Sequence, residues 1–250
     1  MLRSIDELMG YSLDAEDGPI GKCLNFLFDD LKWTIRYMVA DTHKWLPGRH
    51  VLISPISLGE PDPAHKVFPV KLTKEKIKNS PPLETDMPVS SEYEKRLRKY
   101  YGYPYYRLGN TSWDYQAHPD SPYSSLPRME EEERVQGKEP NHLRSVNEVK
   151  GYNIHATDGR IGDVEDFIVE DKTWIIRYAA VDTRKWLPGG KKVLVSTDWI
   201  NVIRWEKKDV VVDLTKDAVR NSPEYDPGTP ITREYESRLF DFHGRPAYWR

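Results

Sequence analysis

Hydrophobic and polar positions alternate in short runs along this chain rather than in long helical stripes. From Trp33 to Ala40, an extended backbone puts Trp33, Ile35, Tyr37 and Val39 on one face and Thr34, Arg36, Met38 and Ala40 on the other. Most of both faces is apolar, which predicts a central strand covered on both sides. Trp174 to Val181 reads the same way and follows Phe167-Ile168-Val169 across the polar turn Glu170-Asp171-Lys172. Val51-Leu52-Ile53, Val67 to Leu72, Val193-Leu194-Val195 and Val210 to Leu214 predict further strands, and Asp17-Gly18 and Asp158-Gly159 predict tight hairpins. Helical spacing is confined to two stretches: Tyr93, Leu97 and Tyr100 behind the N-cap Ser90, and Tyr235, Leu239 and Phe242 behind Thr232. Gly102 and Gly244, each with a proline two residues later, end them. Closely spaced short strands with few short helices predict an all-β chain, mainly β with short helices, built as small barrels or sandwiches.

The pattern occurs twice. Leu2-Arg3-Ser4 returns as Leu143-Arg144-Ser145, Gly10-Tyr11 as Gly151-Tyr152, Ile35-Arg36-Tyr37 as Ile176-Arg177-Tyr178 and Lys44 to Gly48 as Lys185 to Gly189, all at one offset. After one inserted residue, Asn79-Ser80-Pro81 returns as Asn221-Ser222-Pro223. So long a period makes each copy a domain with its own core rather than a solenoid unit. The expected organisation is a first domain over 1–107, an acidic proline-rich linker over 108–142 with Pro119, Pro122, Pro127 and Glu130 to Glu133, and a second domain over 143–250. Trp113, Tyr115 and Tyr123 are expected to dock locally from the linker.

The formal net charge of -3 comes from the linker and both domains are near neutral, which argues against nucleic acid as a partner. Lys71 to Lys78 and Lys95 to Lys99 make the end of the first copy basic where the second has Asp213, Asp217 and Asp241, and this reads as a solvated face. A single cysteine excludes an internal disulfide and aligns with Val164, so Cys23 reads as a small buried apolar group. The repeat begins at Leu2, leaving no space for a signal peptide, and the most apolar stretch is too short to span a bilayer. A cytoplasmic protein without a membrane span is expected.

Duplication tests candidate chemistry, because a residue needed for a reaction in both copies should recur. No histidine recurs: His43 aligns with Arg184, His155 with Asp14 and His243 with Tyr101. The expectation is therefore no catalytic, metal or cofactor site, and no enzyme. Asp17/Asp158, Asp30/Asp171, Asp41/Asp182 and Glu94/Glu236 do recur, the first two pairs in turns. Arg36 and Arg177 sit in mid-strand among apolar neighbours and need carboxylates, with Asp41 and Asp182 or Glu94 and Glu236 as candidates for structural ion pairs. Trp45 and Trp186, on a connection between strands, are the candidate interaction residues, although the Leu and Pro beside each suggest a ring folded back as a plug for the barrel end.

Taken in series, the opening Leu-Arg-Ser with Gly-Tyr, Asp-Gly-x-Ile-Gly at 17–21 and 158–162, Trp-x-Ile-Arg-Tyr and Lys-Trp-Leu-Pro-Gly resemble the PRC-barrel family. The resemblance implies two tandem small β-barrels of the kind found in the cytoplasmic part of the photosynthetic reaction centre H subunit and the C-terminal domain of the ribosome-maturation factor RimM. It also implies a docking module rather than a catalyst. The chain lacks the membrane helix of the one and the separate N-terminal domain of the other, so neither function carries over; it looks most like stand-alone bacterial tandem proteins. The expected function is a non-enzymatic protein-interaction or scaffold protein with a protein partner. A small-molecule or anion-binding barrel pair and an RNA-processing accessory are the alternatives. The matching helices further predict an intramolecular pseudo-dimer of the two repeats, each presenting part of its aromatic stripe to the other, and homo-oligomers are compatible with such surfaces.

Overall fold

The computed structural model describes residues 1–42, 46, 49–83, 89–103, 142–186 and 189–249. The linker over 108–142, apart from His142, lies outside the described residues, as do Trp113, Tyr115, Tyr123 and Trp45. In the first half the elements run β1 (Leu2–Ser4), α1 (Ile5–Leu8), β2 (Ser12–Ala15), β3 (Gly18–Asp29), β4 (Thr34–Asp41), β5 (His50–Ile53), β6 (Val67–Val70), α2 (Lys74–Lys78) and α3 (Ser91–Tyr101). The second half follows with β7 (Leu143–Ser145), α4 (Val146–Val149), β8 (Asn153–Ala156), β9 (Gly159–Glu170), β10 (Ile175–Asp182), β11 (Lys192–Ser196), β12 (Ile200–Arg204), β13 (Asp209–Val212), α5 (Lys216–Asn221) and α6 (Arg233–His243).

These elements form two compact units. Gly10–Arg144 with Lys172–Trp174 make one; Met1–Met9, Ser145–Asp171 and Ile175–Arg250 make the other. In the first-copy unit β6 pairs in parallel with β2, β2 with β3, β3 with β4, and β4 with β5. The second-copy unit repeats this with β13, β8, β9, β10 and β11, and adds β12 outside β13, a strand without a predicted counterpart. The long strands β3 and β9 curl the sheet. Each gives its first part to the hairpin partner and its remainder to the next strand, with register shifts between. The hairpins need the positive φ of Gly18 (120°) and Gly159 (131°). A β-carbon on Gly21 would stand 1.9 Å from the Asp41 carbonyl oxygen and one on Gly162 2.4 Å from that of Asp182, which explains the second glycine of the hairpin motif.

The structure changes one part of the sequence reading and adds detail to two others. Trp33 and Trp174 do not start their strands; both adopt left-handed backbones (φ 53° and 58°), which takes them out of the alternating faces of β4 and β10. The aromatic stripes of α3 and α6 are tied within their own units. Tyr93 and Tyr100 donate to the carbonyls of Pro81 and Lys76, Tyr235 donates to that of Pro223, and Phe242 is the exposed large apolar residue of α6. Finally, the contacts divide the chain at Arg144/Ser145, next to the end of the expected linker, but group Met1–Met9 with the second copy and Lys172–Trp174 with the first. The opening strand of each copy has left its own copy: β1 lies antiparallel on β9, with Leu2, Arg3 and Ser4 opposite Glu170, Val169 and Ile168, while β7 pairs with β3.

Candidate functional site

Each duplicated carboxylate whose partners are resolved has a structural contact. Asp17 and Asp158 reach from the hairpins to the first turns of α2 and α5, where they accept the backbone N–H of Lys74 (2.7 Å) and Lys216 (2.8 Å). Asp30 and Asp171, which look like turn residues in sequence, hold the exchanged strands. Asp171 accepts from Arg3 Nε at 2.8 Å, both side chains less than a tenth exposed, and Asp30 accepts from Arg144 Nε at 3.0 Å. Backbone pairing is equally reciprocal, from Asp171 N–H to the Met1 carbonyl (3.0 Å) and from Asp30 N–H to the His142 carbonyl (2.9 Å). These Arg–Asp latches escaped the sequence reading. Their signal was present: a duplicated arginine in Leu-Arg-Ser and a duplicated aspartate, neither with an assigned partner.

Arg36, with 11% of its side chain exposed, donates to Glu94 (3.0 Å) and lies 3.5 Å from Asp29. Arg177 pairs instead with Glu170, at 2.6 Å, and with neither Asp182 nor Glu236. The sequence reading overlooked this site because Asp29 and Glu170 occupy equivalent positions with different residues. Asp182 is taken by Arg184, whose bidentate grip lowers its pKa to about 2. Asp41 stands opposite Lys22 in the β3–β4 ladder. Glu236 is buried and receives the hydroxyls of Tyr178 (2.7 Å) and Tyr248 (2.8 Å), with Arg233 at 3.1 Å. Burial and that carboxylate together push the Tyr178 phenol far up.

Trp186 is 41% exposed and does not plug a barrel end. The Arg160 guanidinium stacks on its ring at 3.6 Å from the centroid, Asp163 holds that guanidinium at 2.6 Å, and the indole N–H points at the other Asp163 oxygen, 3.4 Å away. An ion pair thus fixes the exposed ring against Arg160 of β9. A plug would have to bury the indole N–H beside an apolar core without a partner.

A shallow cavity of about 340 Å³ lies in the second-copy unit, lined by Thr157, Asp213, Leu214, Phe242, His243 and Arg245 among others. Its arginine is spent on Asp213 (2.7 Å), and its histidine, with Nε2 3.2 Å from Ser222 Oγ, is pushed down to about 4, first by burial and then by Arg245. A neutral imidazole and a neutralised guanidinium leave the cavity little pull on an anion. Cys23 is buried and its thiol pushed up to about 12 by desolvation, which makes it inert. Among the described residues no group of three or more His, Cys, Asp or Glu side chains could hold a metal ion, and no helix is long and apolar enough to cross a membrane.

Residues 142–219 match the family model of the PRC-barrel domain, so the second copy carries a PRC-barrel. No curated protein matches the chain.

Proposed function

We propose that this chain is a non-enzymatic, cytoplasmic protein-interaction scaffold, and that Trp186 is its contact point on the second copy. The observation that carries this reading is the Trp186 cluster: a large aromatic surface held at the protein exterior by an Arg160–Asp163 pair, so that little side-chain entropy remains to be lost on binding. The structural commitments of the duplicated acids and the near-neutral domains support the same reading. The cavity beside His243 favours a second one, small-molecule binding, since its volume falls at the low end of ligand pockets.

Affinity capture from the native cell with the intact chain and with Trp186→Ala as baits tests the proposal, followed by titration of purified partner. A hot-spot tryptophan contributes about 2 kcal/mol or more, so the variant should bind at least roughly 30-fold more weakly while melting like the wild type. Equal affinity of the two baits for every captured protein refutes the role of Trp186. An ordered small molecule beside His243 in a crystal grown from freshly isolated protein supports the second reading.

A further inference from the structure

The end of β9 is a binding site for a strand, and the strand it holds comes from the opening of the other copy. Four features make the site specific. β1 adds to β9 in antiparallel register. Arg3 enters a nearly closed pair with Asp171. Asp166, itself buried, accepts from Ser4 Oγ at 2.5 Å and from Asp6 N–H at 3.1 Å. Ile5 and Leu8 of α1 are fully buried. The segment Met1–Met9 rejoins its own copy through Gly10, whose positive φ (77°) and open surroundings mark the crossing point.

We propose that this acceptor site takes the Leu2–Leu8 segment of a second molecule of the same chain, giving a strand-exchanged homodimer. Nothing in the acceptor distinguishes its own donor from that of another molecule: the groups it recognises are all in the segment, and the exchange in cis has already separated that segment from the copy it opens. Two molecules that trade segments keep every contact of β1 and α1, so the exchange costs only association entropy and any hinge strain. The tether favours the donor in cis through its effective concentration, so concentrated refolding favours the donor in trans. The proposal is independent of the role of Trp186.

Opposite charge reversals in the full-length chain separate the two modes. Arg3→Asp sets a second carboxylate against Asp171 within one molecule, and Asp171→Arg sets a second guanidinium against Arg3, so each variant alone repels its own donor. A dimer containing one of each removes both repulsions: one acceptor holds the native Arg3–Asp171 pair, and the other holds the same pair with its charges interchanged. Co-refolded in equal amounts, the two variants should give a 1:1 species of twice the monomer mass by native mass spectrometry, with a melting temperature near that of the wild type and absent from either variant alone. A mixture that contains only the two monomers, each melting as it does alone, overturns the proposal. Should the reversals prevent folding altogether, a milder pair serves: Arg3→Cys and Val169→Cys, directly opposite in the ladder, on separate molecules that also carry Cys23→Val. A disulfide between residues 3 and 169 of different chains after co-refolding and oxidation supports exchange in trans. Its absence, when both cysteines in one chain do cross-link, overturns it.

Discussion

Replacing Trp174 with alanine is expected to loosen the unit built on the first copy, although this tryptophan belongs to the second copy in sequence. Lys172–Trp174 is part of the first-copy unit, where the indole stacks on Phe68 at 6.0 Å between ring centroids and lies tilted against Phe26 at 5.9 Å, and its carbonyl accepts the Ile35 N–H at 2.8 Å. The residue is only 6% exposed, so nearly the whole side chain is withdrawn from water. An aromatic group of this size buries about 150–250 Å², which at about 25 cal/mol per Å² sets an upper bound of about 6 kcal/mol, and truncations of buried Trp to Ala cost about 3–5 kcal/mol. Backbone strain does not enter the difference, because both residues pay for the left-handed φ of 58°. Hydrogen exchange on the intact chain reads the result unit by unit. Amides of β3, β4 and β6 should exchange about 10² to 4 × 10³ times faster in Trp174→Ala, since each 1.4 kcal/mol is tenfold. Acceleration confined to β8–β13, with β3 and β4 at wild-type rates, would show that the ring does not serve the first copy.

Other substitutions test the buried charges. Asp166 is raised to about 6, chiefly by desolvation, from an ordinary value of 3.8, so its contribution to stability is present below pH ~4 and is lost as pH rises through ~6. That loss amounts to roughly 3 kcal/mol at 1.36 kcal/mol per pKa unit, and Asp166→Asn should abolish it. His243, pushed down to about 4, acts with the opposite sign over the same window, so the quantity to plot is the variant's urea midpoint minus the wild type's, against pH. Arg36→Met strands Glu94 and Asp29 in the interior and should cost about 3–5 kcal/mol in thermal unfolding, whereas Arg177→Met, whose partner Glu170 is about one-fifth exposed, should cost less than half as much. Glu236→Ala leaves the Tyr178 and Tyr248 hydroxyls without their acceptor and should destabilise by about 2–4 kcal/mol, while Glu236→Gln, which keeps an acceptor, should cost much less by calorimetry. Native Cys23 should resist alkylation at pH 8 and react only after unfolding.

The strands and hairpins could be read from the sequence because their determinants are local. Asp-Gly demands its turn whatever surrounds it, and Ile35 to Ala40 alternates because the backbone does. Ser90 and Thr232 accept the N–H groups of Tyr93 and Tyr235 three residues on, a contact that spacing alone foretells. What was illegible depends on where distant segments meet. The left-handed φ of Trp33 and Trp174 cannot be inferred from β-prone neighbours, and it is this backbone state that lifts each ring off its strand. Trp186 misled for another reason: Leu and Pro beside it suggest burial, whereas the partner that holds the ring outside, Arg160, lies on β9 and has no counterpart in the first copy, where Pro19 stands at that position.

The two latches also show why duplication is an imperfect guide to function. Arg3–Asp171 and Arg144–Asp30 recur with nearly equal distances, so the exchange of opening strands is a property of both copies and its residues recur as expected for a shared task. Next to them the copies part. Asp166 grips Ser4 and the N–H of Asp6, but the equivalent residue of the first copy is Asn25, whose side-chain oxygen accepts the N–H of its neighbour Phe26. A carboxylate at this position binds the donor strand with charge-assisted hydrogen bonds and suffers desolvation for it, while an amide has no titration to lose. The β9 acceptor therefore holds its strand with a strength that depends on pH, and no such dependence can arise from Asn25 at the β3 acceptor. Divergence at one position has made two copies of the same latch respond differently to protons, without altering the residues that make either one a latch.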